Sequence, residues 1–549
     1  MRPTKNSFVV GWMVFHYKII DYIVLGVDCH GEWVESSTRF TWRSKSKETV
    51  LIKVHRDVTY DEFVDKIIAG CELTCYPSDM SITYMHSIGE KHTKLLKVYE
   101  GRSYCKGYGK GDSRARYEIL DAYRYALRKA NEGSKTTLKL DNKGKFQYFF
   151  VAYEAWIQGF LFMRKVIAID GTFLTGKYRG VLLSAVAQDS ENHIFPVAFC
   201  VVDKECDAAY EYFFEQLSSI HPDSVELCII SDRHISIANG ISKFYPQAHH
   251  GFCMRHFAEN LRKNFRCGDL LHHYYSAAKA YKIDEFNDHF QQIKLNDVRV
   301  AKYLEEDVGF HKWSRAHFPG NRYEVLTTNI AESVNSMFLL EREFSITALF
   351  DAINRRFAQK FHERRMQFLD TPTICVPSVE KKINKNATFG NKLLVHPIRQ
   401  QDFSITGHGV VAKVDLHNRT CSCREFDLDK IPCPHAMATL RVEFGDQYGT
   451  SIYDYTSDFY YIDTYVNAYV IEINPVPSEE CWDVPPELVE RKIPPPSCEI
   501  QLGRRKTKWI PASGEVKKKQ NRCSMCKRTG HKRTTCKKRT EGTSNSVVA

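Results

Sequence analysis

Residues 166–200 constrain the fold more than any other stretch of this chain; they read VIAIDGTFLTGKYRGVLLSAVAQDSENHIFPVAFC. Three apolar runs, 166–169, 181–187 and 194–202, are separated by clusters of Gly, Lys, Asp and Asn. Short β-rich runs bounded by turn residues are typical of consecutive, largely buried strands. The stretch therefore predicts the strands of a central sheet in an α/β domain.

Two of the predicted strands run directly into an acidic residue. Asp170 follows residues 166–169, and Asp232 comes just after the apolar run 227–230. Burying an unpaired carboxylate is costly, so such an acid needs a partner. Each Asp alone could simply cap the following turn. It could also be a metal ligand in the crevice outside the carboxyl ends of the strands, where open α/β sheets bind their ligands.

A third acid lies on a predicted helix at residues 327–340. Glu332 sits beside the apolar stripe of that helix, where a solvated surface glutamate is the simple alternative. Asp170, Asp232 and Glu332 nevertheless follow the order strand, strand, helix of an RNase H-like DDE site. Mg²⁺ prefers oxygen ligands, and two such ions about 3.5–4 Å apart can stabilise the attacking and leaving oxygens of phosphoryl transfer. We therefore expect the three carboxylates to converge at one edge of the sheet.

Four linked motifs resemble those of the Mutator-like (MULE, MuDR-type) plant transposases: AIDGTFLTGKYRG, LLSAVAQDSENHIFPVAFCVVD, IISDRHISIANGISKFYPQAHHGFCMRHFAENL and TTNIAESVNSMF. The resemblance covers about residues 142–365 closely. It implies that Asp170, Asp232 and Glu332 are the DDE residues, with Mg²⁺ or Mn²⁺ as the catalytic metal. It also matches Cys253 and His256 to the family's Cys-x-x-His motif, and residues 257–325 to its helical insertion.

One segment departs from the family pattern. Members commonly carry a Cys/His zinc-type DNA-binding segment before the catalytic core. Residues 91–109 offer only Cys105 and no paired ligands. This departure implies that the segment is shortened or lost, and it weakens the expectation that the chain recognises specific terminal inverted repeats.

A first zinc site is predicted at residues 405–445. Cys421-x-Cys423 is followed after nine residues by Cys433-x-His435. Zn²⁺ takes four N or S ligands in a tetrahedron, and a hairpin followed by a helix can present this quartet. The spacing resembles a SWIM zinc finger, whose partner could be DNA or protein.

A second zinc site is predicted in the basic tail, residues 503–549. The tail has 15 Lys and Arg against two Asp and Glu, which leaves 62 basic and 64 acidic residues elsewhere. Its Cys and His spacing resembles a CCHC zinc knuckle, a module that binds single-stranded nucleic acid; the ligands are Cys523, Cys526, His531 and Cys536. Neighbouring basic residues are the predicted nucleic-acid contacts: Arg504, Arg505, Lys506, Lys508, Lys527, Arg528, Lys532 and Arg533. The basic clusters also read as a nuclear localisation signal.

A chain of 549 residues is too long for one hydrophobic core, so several domains are expected. The predicted fold is multidomain α/β, with an RNase H-like core and a small α+β, β-grasp-like module at the N-terminus. The expected division is as follows: 1–100 accessory module, 101–160 helical connector, 161–365 transposase core, 366–404 linker, 405–445 SWIM finger, 446–502 Pro-rich linker and 503–549 tail.

The sequence thus favours a nuclear, metal-dependent DDE transposase that cleaves and transfers DNA strands and holds two structural Zn²⁺ ions. The alternative is a domesticated or inactive relative that acts as a non-enzymatic DNA- or RNA-binding regulator. DNA is the expected partner, with single-stranded DNA or RNA at the knuckle and a second copy or another protein at the N-terminal module. No uninterrupted run of 18 apolar residues occurs, so no membrane span is expected.

Overall fold

The computed structural model describes the backbone of seven N-terminal strands and then most of the chain to residue 497. The described residues are 8–13, 22–28, 31–35, 40–44, 50–55, 80–88, 92–100, 113–368, 371–407 and 409–497. Contacts divide the chain into residues 1–498 and residues 499–549. The basic tail, with all of its predicted zinc ligands and nucleic-acid contacts, therefore lies outside the described residues.

The N-terminal strands form one five-stranded sheet and a separate hairpin. The strands are β1 Phe8–Met13, β2 Tyr22–Asp28, β3 Gly31–Glu35, β4 Phe40–Ser44, β5 Val50–His55, β6 Met80–Ile88 and β7 His92–Glu100. The sheet order is β5-β2-β1-β6-β7, and β3 pairs with β4. The sequence of this module predicts strands at 22–27, 39–42 and 50–54, and these correspond to β2, β4 and β5. It also predicts a helix at 60–69, which lies outside the described residues.

A seven-stranded mixed sheet forms the centre of the molecule. Its strands are β8 Lys135–Leu140, β9 Phe146–Ala152, β10 Val166–Phe173, β11 Val181–Gln188, β12 Ile194–Val202, β13 Cys228–Ser231 and β14 His249–Phe252. The order is β14-β13-β10-β11-β12-β9-β8. β10 is parallel to β13 and antiparallel to β11. Strands β11 and β12 are buried at nearly every residue, which is typical of strands covered on both faces.

Helices before, between and after these strands complete the core. They are α1 Ser113–Glu118, α2 Leu120–Ala130, α3 Glu154–Gly159, α4 Asp207–Ser218, α5 Ile235–Phe244, α6 Met254–Phe265, α7 Leu271–Lys279, α8 Ile283–Asn296, α9 Val298–Lys302, α10 Phe310–Trp313, α11 Asn329–Met337 and α12 Ile346–Gln367. The 22-residue α12 lies against the sheet, where Phe350 meets Phe149 with ring centroids 5.0 Å apart. Helices α6 to α10 build a second hydrophobic cluster around the buried Trp313.

The remaining described residues hold a small sheet and further helices. They are α13 Pro377–Gly390, β15 Leu394–Arg399, β16 Asp402–Gly407, β17 Val410–Asp415, β18 Thr420–Cys421, α14 Glu425–Asp429, α15 Pro434–Phe444, α16 Tyr448–Asp454, α17 Ile462–Asn467 and α18 Pro486–Glu490. Buried residues of this region belong to the same hydrophobic cluster as the central sheet. Among the described residues, no helix is long and apolar enough to cross a membrane.

The structure differs from the predicted division at three places. The connector at 101–160 is not only helical, because β8 and β9 belong to the central sheet. The linker predicted at 366–404 contains the 14-residue α13, whose Val379 and Ile383 are buried. The linker predicted at 446–502 packs on the core through buried Tyr and Ile side chains at its described positions. In both predicted linkers, apolar residues that stand among Pro, Lys and Asp pack against residues that are distant in sequence.

Candidate active site and zinc site

The strand register brings Asp170 and Asp232 to the same edge of the sheet. β10 and β13 run parallel, and Ala168 lies opposite Ile230. Asp170 and Asp232 each stand two residues beyond this pair: Asp170 lies within β10, which continues to Phe173, whereas Asp232 directly follows the end of β13. Both acids are only partly buried. They therefore line the edge at which open α/β sheets place their ligands.

Helix α11 adds two polar side chains to this edge. It packs against β10 and β11, with Ile330 and Val334 buried beneath it. Glu332 and Asn335 are three residues apart and so share one face of the helix. The Asn335 Nδ2 donates a hydrogen bond of 2.8 Å to Asp170 Oδ2. Asn335 was not among the sequence-predicted residues, although its spacing from Glu332 was the available signal.

The electrostatics of Asp170 show that the three acids lie close together. Burial raises the pKa of Asp170 to about 7, and repulsion from Asp232 and Glu332 adds to this shift. The charge of His256 partly opposes it. Like charges held this close disfavour ionisation. The three predicted acids therefore lie near the same edge of the sheet, but their ligand atoms are not gathered tightly enough to hold a metal ion as they stand.

Glu332 is already paired with two cationic side chains. Its Oε1 lies 3.1 Å from Nε2 of His256, and its Oε2 contacts the guanidinium of Arg255. Burial disfavours the ionised carboxylate, but His256 and Arg255 outweigh this effect and hold the pKa of Glu332 below its usual value. Glu332 is therefore ionised and held in place across the site by α6.

The Cys-x-x-His pair lies at the start of α6, directly behind Glu332. Cys253 is fully buried, and its Sγ accepts a hydrogen bond of 3.3 Å from the backbone N–H of Thr328. Hydrogen bonds to Cys253 and then to Glu332 raise the pKa of His256 to about 10. Burial disfavours the thiolate, yet His256 lowers the pKa of Cys253 overall. The pair thus connects the helical insertion to the helix that carries Glu332.

The four predicted SWIM ligands converge in a second site, separate from the acids. The ligand atoms of Cys421, Cys423, Cys433 and His435 all lie within 4.8 Å of one another. The Nδ1 of His435 is 3.7 Å from Sγ of Cys421 and 3.9 Å from Sγ of Cys433. The three cysteines are buried. Within the part of the chain that the structure describes, no other Cys, His, Asp and Glu group is gathered tightly enough to hold a metal ion by this measure.

Local structure explains how a hairpin and a helix present this quartet. Cys421 lies on β18, which pairs with β17, and Arg424 adopts a left-handed backbone conformation just after Cys423. Cys433 is the N-cap of α15, and its Sγ accepts from the N–H of Ala436 at 3.5 Å. Pro434 occupies the first turn of α15, where a missing N–H costs nothing. Three thiols and an imidazole are the donor set that suits tetrahedral Zn²⁺.

Comparison with protein families agrees with both sites. The family model of the MULE transposase domain matches residues 166–260, which include Asp170, Asp232, Cys253 and His256. The SWIM zinc finger model matches residues 412–442 and so includes the whole ligand quartet. No curated protein matches the chain. The first match confirms the resemblance to a MULE-type transposase, and the second supports zinc binding by the quartet. The chain thus contains a MULE transposase domain followed by a SWIM zinc finger.

Proposed function

We propose that this protein is a Mutator-like DDE transposase that cleaves and transfers DNA strands with Mg²⁺ or Mn²⁺. The observation that carries the proposal is the placement of the three acids at one edge of the sheet. Asp170 lies on β10, Asp232 directly follows the adjacent, parallel β13, and Glu332 on α11 affects the charge of Asp170. The MULE and SWIM domains together suggest that the partner is DNA.

The topology of the sheet supports an RNase H-like core. Strands β10, β11 and β12 form an antiparallel meander, and β13 and β14 continue from β10 in parallel. This gives the order β12-β11-β10-β13-β14. The two aspartates lie on the first and directly after the fourth of these strands in chain order. Here those strands are β10 and β13.

The acidic cluster fits a divalent cation in its donor set. Carboxylate oxygens are the ligands that Mg²⁺ and Mn²⁺ prefer. Burial is the main reason that the pKa of Asp170 is raised, and repulsion from Asp232 and Glu332 adds to the shift. Asp170, Asp232 and Glu332 would hold the metal. When bound, a pair of such ions activates the attacking oxygen and stabilises the leaving oxygen of the phosphodiester.

The remaining residues of the site act on the acids themselves. Asn335 orients one oxygen of Asp170 through its hydrogen bond. His256 and Arg255 hold the carboxylate of Glu332 in its ionised form. The side chain of Arg255 is 42% exposed at the site, so it is also accessible to a DNA phosphate.

One observation favours the second candidate, a non-enzymatic regulator derived from a transposase. Both oxygens of Glu332 are paired with cationic side chains, and these compete with a metal for the same carboxylate. A protein that had lost catalysis could keep this arrangement for stability alone. The two candidates differ in whether strand cleavage depends on the acids.

Plasmid nicking separates the two candidates. Purified zinc-loaded protein is incubated with supercoiled plasmid and Mn²⁺, and wild type is compared with Asp170→Asn, Asp232→Asn and Glu332→Gln. The transposase proposal expects nicking by wild type and loss of about 10²-fold or more in each variant, because each removes a charged ligand. The exposed Asp446→Asn serves as the matched control and should nick like wild type.

Two outcomes would contradict the enzyme. Equal nicking by wild type and Asp170→Asn would assign the cleavage to another nuclease. DNA binding without any nicking by wild type would favour the regulator. Terminal inverted repeats and a target-site duplication beside the gene would in turn support a mobile element.

We further propose that the tail carries nucleic-acid binding and nuclear entry. Its +13 excess of charge over residues 503–549 suits an anionic polymer. The knuckle quartet, Cys523, Cys526, His531 and Cys536, would hold the second Zn²⁺ and bind single-stranded DNA or RNA. The N-terminal module is proposed to contact a second copy or another protein.

A further inference from the structure

Only one of the two polar atoms of the Asn335 side-chain amide makes a hydrogen bond in the structure. Its Nδ2 donates to Asp170 Oδ2 at 2.8 Å, but its Oδ1 is buried and has no hydrogen-bond partner. A buried polar atom is normally satisfied by protein, water or an ion. The orphaned oxygen lies on the same amide that touches a candidate metal ligand. No hydrogen bond to this oxygen therefore fixes the amide in the orientation that turns Nδ2 toward Asp170.

We propose that Asn335 is a fourth protein ligand of the divalent cation at Asp170, binding through Oδ1. The proposal rests on the metal-dependent function proposed above. Side-chain amide oxygens are accepted ligands of hard divalent cations alongside carboxylates. Because Asn335 and Glu332 are three residues apart on α11, one helix face delivers both groups to the strand ends.

A half-turn of the Asn335 amide would replace Nδ2 by Oδ1 beside Asp170. The terminal torsion of Asn is broad and roughly two-fold, so Nδ2 and Oδ1 can exchange places with little rearrangement. Without a cation, Nδ2 faces Asp170 and stabilises its carboxylate. After such a half-turn, Oδ1 would stand beside the same carboxylate and could share a cation held there.

A purely structural role makes a different prediction. If Asn335 only donates to Asp170, an aspartate at this position loses the donor and adds repulsion. If Asn335 is a ligand, the aspartate keeps the oxygen and adds a favourable charge for the cation. Asn335→Asp therefore distinguishes the two roles, and Asn335→Ala measures the loss of both.

Mn²⁺ binding to the full-length zinc-loaded protein is the test, read as free Mn²⁺ by electron paramagnetic resonance without DNA. Asp170→Asn defines the binding that belongs to this site. We expect Asn335→Ala to weaken that binding by about 10-fold or more, in the range that loss of one metal-shell partner causes. Asn335→Asp should bind Mn²⁺ at least as tightly as wild type. The exposed Ser336→Asp on the same helix controls for added charge alone and should bind more weakly than Asn335→Asp.

Each contrary result has a distinct meaning. Binding by Asn335→Ala within twofold of wild type would overturn the inference and leave the proposed function intact. Weakening by Asn335→Asp equal to that by Asn335→Ala would show a donor role only. Binding that Asp170→Asn does not change would overturn the metal site itself, and the inference with it. Circular dichroism of every variant confirms that the protein remains folded.

Discussion

At the scale of single residues, the acids of the candidate site have opposite electrostatic surroundings. Burial and the neighbouring acids raise the pKa of Asp170 to about 7, whereas His256 and Arg255 keep the pKa of Glu332 low. The ionised form of Asp170 is therefore energetically unfavourable unless a cation is bound nearby. Unfavourable charges of this kind are common at residues that are selected for binding rather than for stability.

Asp170→Asn should therefore stabilise the protein in a pH-dependent way. A carboxyl whose folded-state pKa is raised from 3.8 to about 7 favours the folded state below about pH 4, and this contribution is lost as the pH rises through 7. At pH 8 the variant should gain on the order of 1–3 kcal/mol, and at pH 4 almost nothing. Thermal unfolding without Mg²⁺ or Mn²⁺ at both pH values measures this. Asp446→Asn should show no such difference, and an equal gain at both pH values would contradict the assignment.

His256 is expected to be coupled energetically to Glu332. His256→Ala leaves the partly buried carboxylate of Glu332 with one cation fewer, at a cost of roughly 1–3 kcal/mol. In a double-mutant cycle with Glu332→Gln, the two losses should be clearly non-additive. His272→Ala, an exposed histidine of the same insertion, is the control. Additive losses in the cycle would mean that the ion pair does not hold Glu332.

Residue chemistry explains what the sequence could and could not reveal about the site. Asp170 and Asp232 could be chosen as candidates because a charged residue at the end of an apolar run is conspicuous. Asn335 and Arg255 were missed because polar residues on amphipathic helices are usually solvated. Only the tertiary placement of α6 and α11 at the sheet edge gives these two residues their contacts.

At the scale of elements, the zinc finger is held by a close approach of two helices. A Cβ added to Gly390 at the end of α13 would lie 2.7 Å from the carbonyl oxygen of Pro434 and 3.0 Å from the N–H of Ala438. Both atoms belong to α15, which begins beside the zinc ligands. The side chain of Asn386 also donates to the carbonyl of Pro432 at 2.9 Å. α13 thus supports the position of Cys433 and His435.

Gly390→Ala should accordingly disturb the zinc site from a distance. The new methyl group meets backbone atoms that cannot move freely, so a loss of about 1–3 kcal/mol in stability is expected. Zinc should also be released faster to a chelator, because α15 carries two ligands. Gly449→Ala in α16, where the added Cβ meets nothing within 4 Å, should be neutral or stabilising. Unchanged zinc release in Gly390→Ala would contradict the coupling of the two helices.

At the scale of the whole molecule, residues 446–497 pack against the first residues of the core. Asn474 exchanges hydrogen bonds with Asn131, and the backbone N–H of Phe146 donates to Pro494 at 2.9 Å. The hydroxyl of Tyr469 donates to the buried carboxylate of Asp189 at 2.8 Å. Pro-rich composition predicted a linker here. The prediction failed because these partners lie hundreds of residues away, where no local pattern reports them.

Tyr469→Phe tests how much the contacts of residues 446–497 with the core contribute to stability. The substitution removes a hydrogen bond to a buried charge while it keeps the ring in place. The expected loss is about 1–3 kcal/mol in the free energy of unfolding. Tyr125→Phe, at an exposed tyrosine of α2, should change stability by less than about 0.5 kcal/mol. Equal effects of the two substitutions would indicate that the Tyr469 hydroxyl is dispensable.

The uneven charge of the molecule gives a prediction about nucleic-acid binding. If the tail makes the main contacts, each neutralised phosphate adds roughly −0.7 to the log–log salt slope on single strands and roughly −0.9 on duplex. Removal of residues 504–508 and 517–519 should flatten this slope. Cys523→Ser should weaken binding but retain most of the slope, because the charges remain. Filter binding over a salt series measures both, and a tail-deleted protein with an unchanged slope would place the contact elsewhere.

The return of residues 446–497 to the beginning of the core also determines when the protein can fold during its synthesis. Strand β9 and helix α2 leave the ribosome more than 300 residues before their partners in this segment. Domains generally fold as units, and contacts between distant parts of a chain form late. We therefore expect the core to remain incompletely folded until residues up to 497 have been synthesised. A message that stops before this point would yield an incomplete and aggregation-prone chain instead of a shorter working transposase domain.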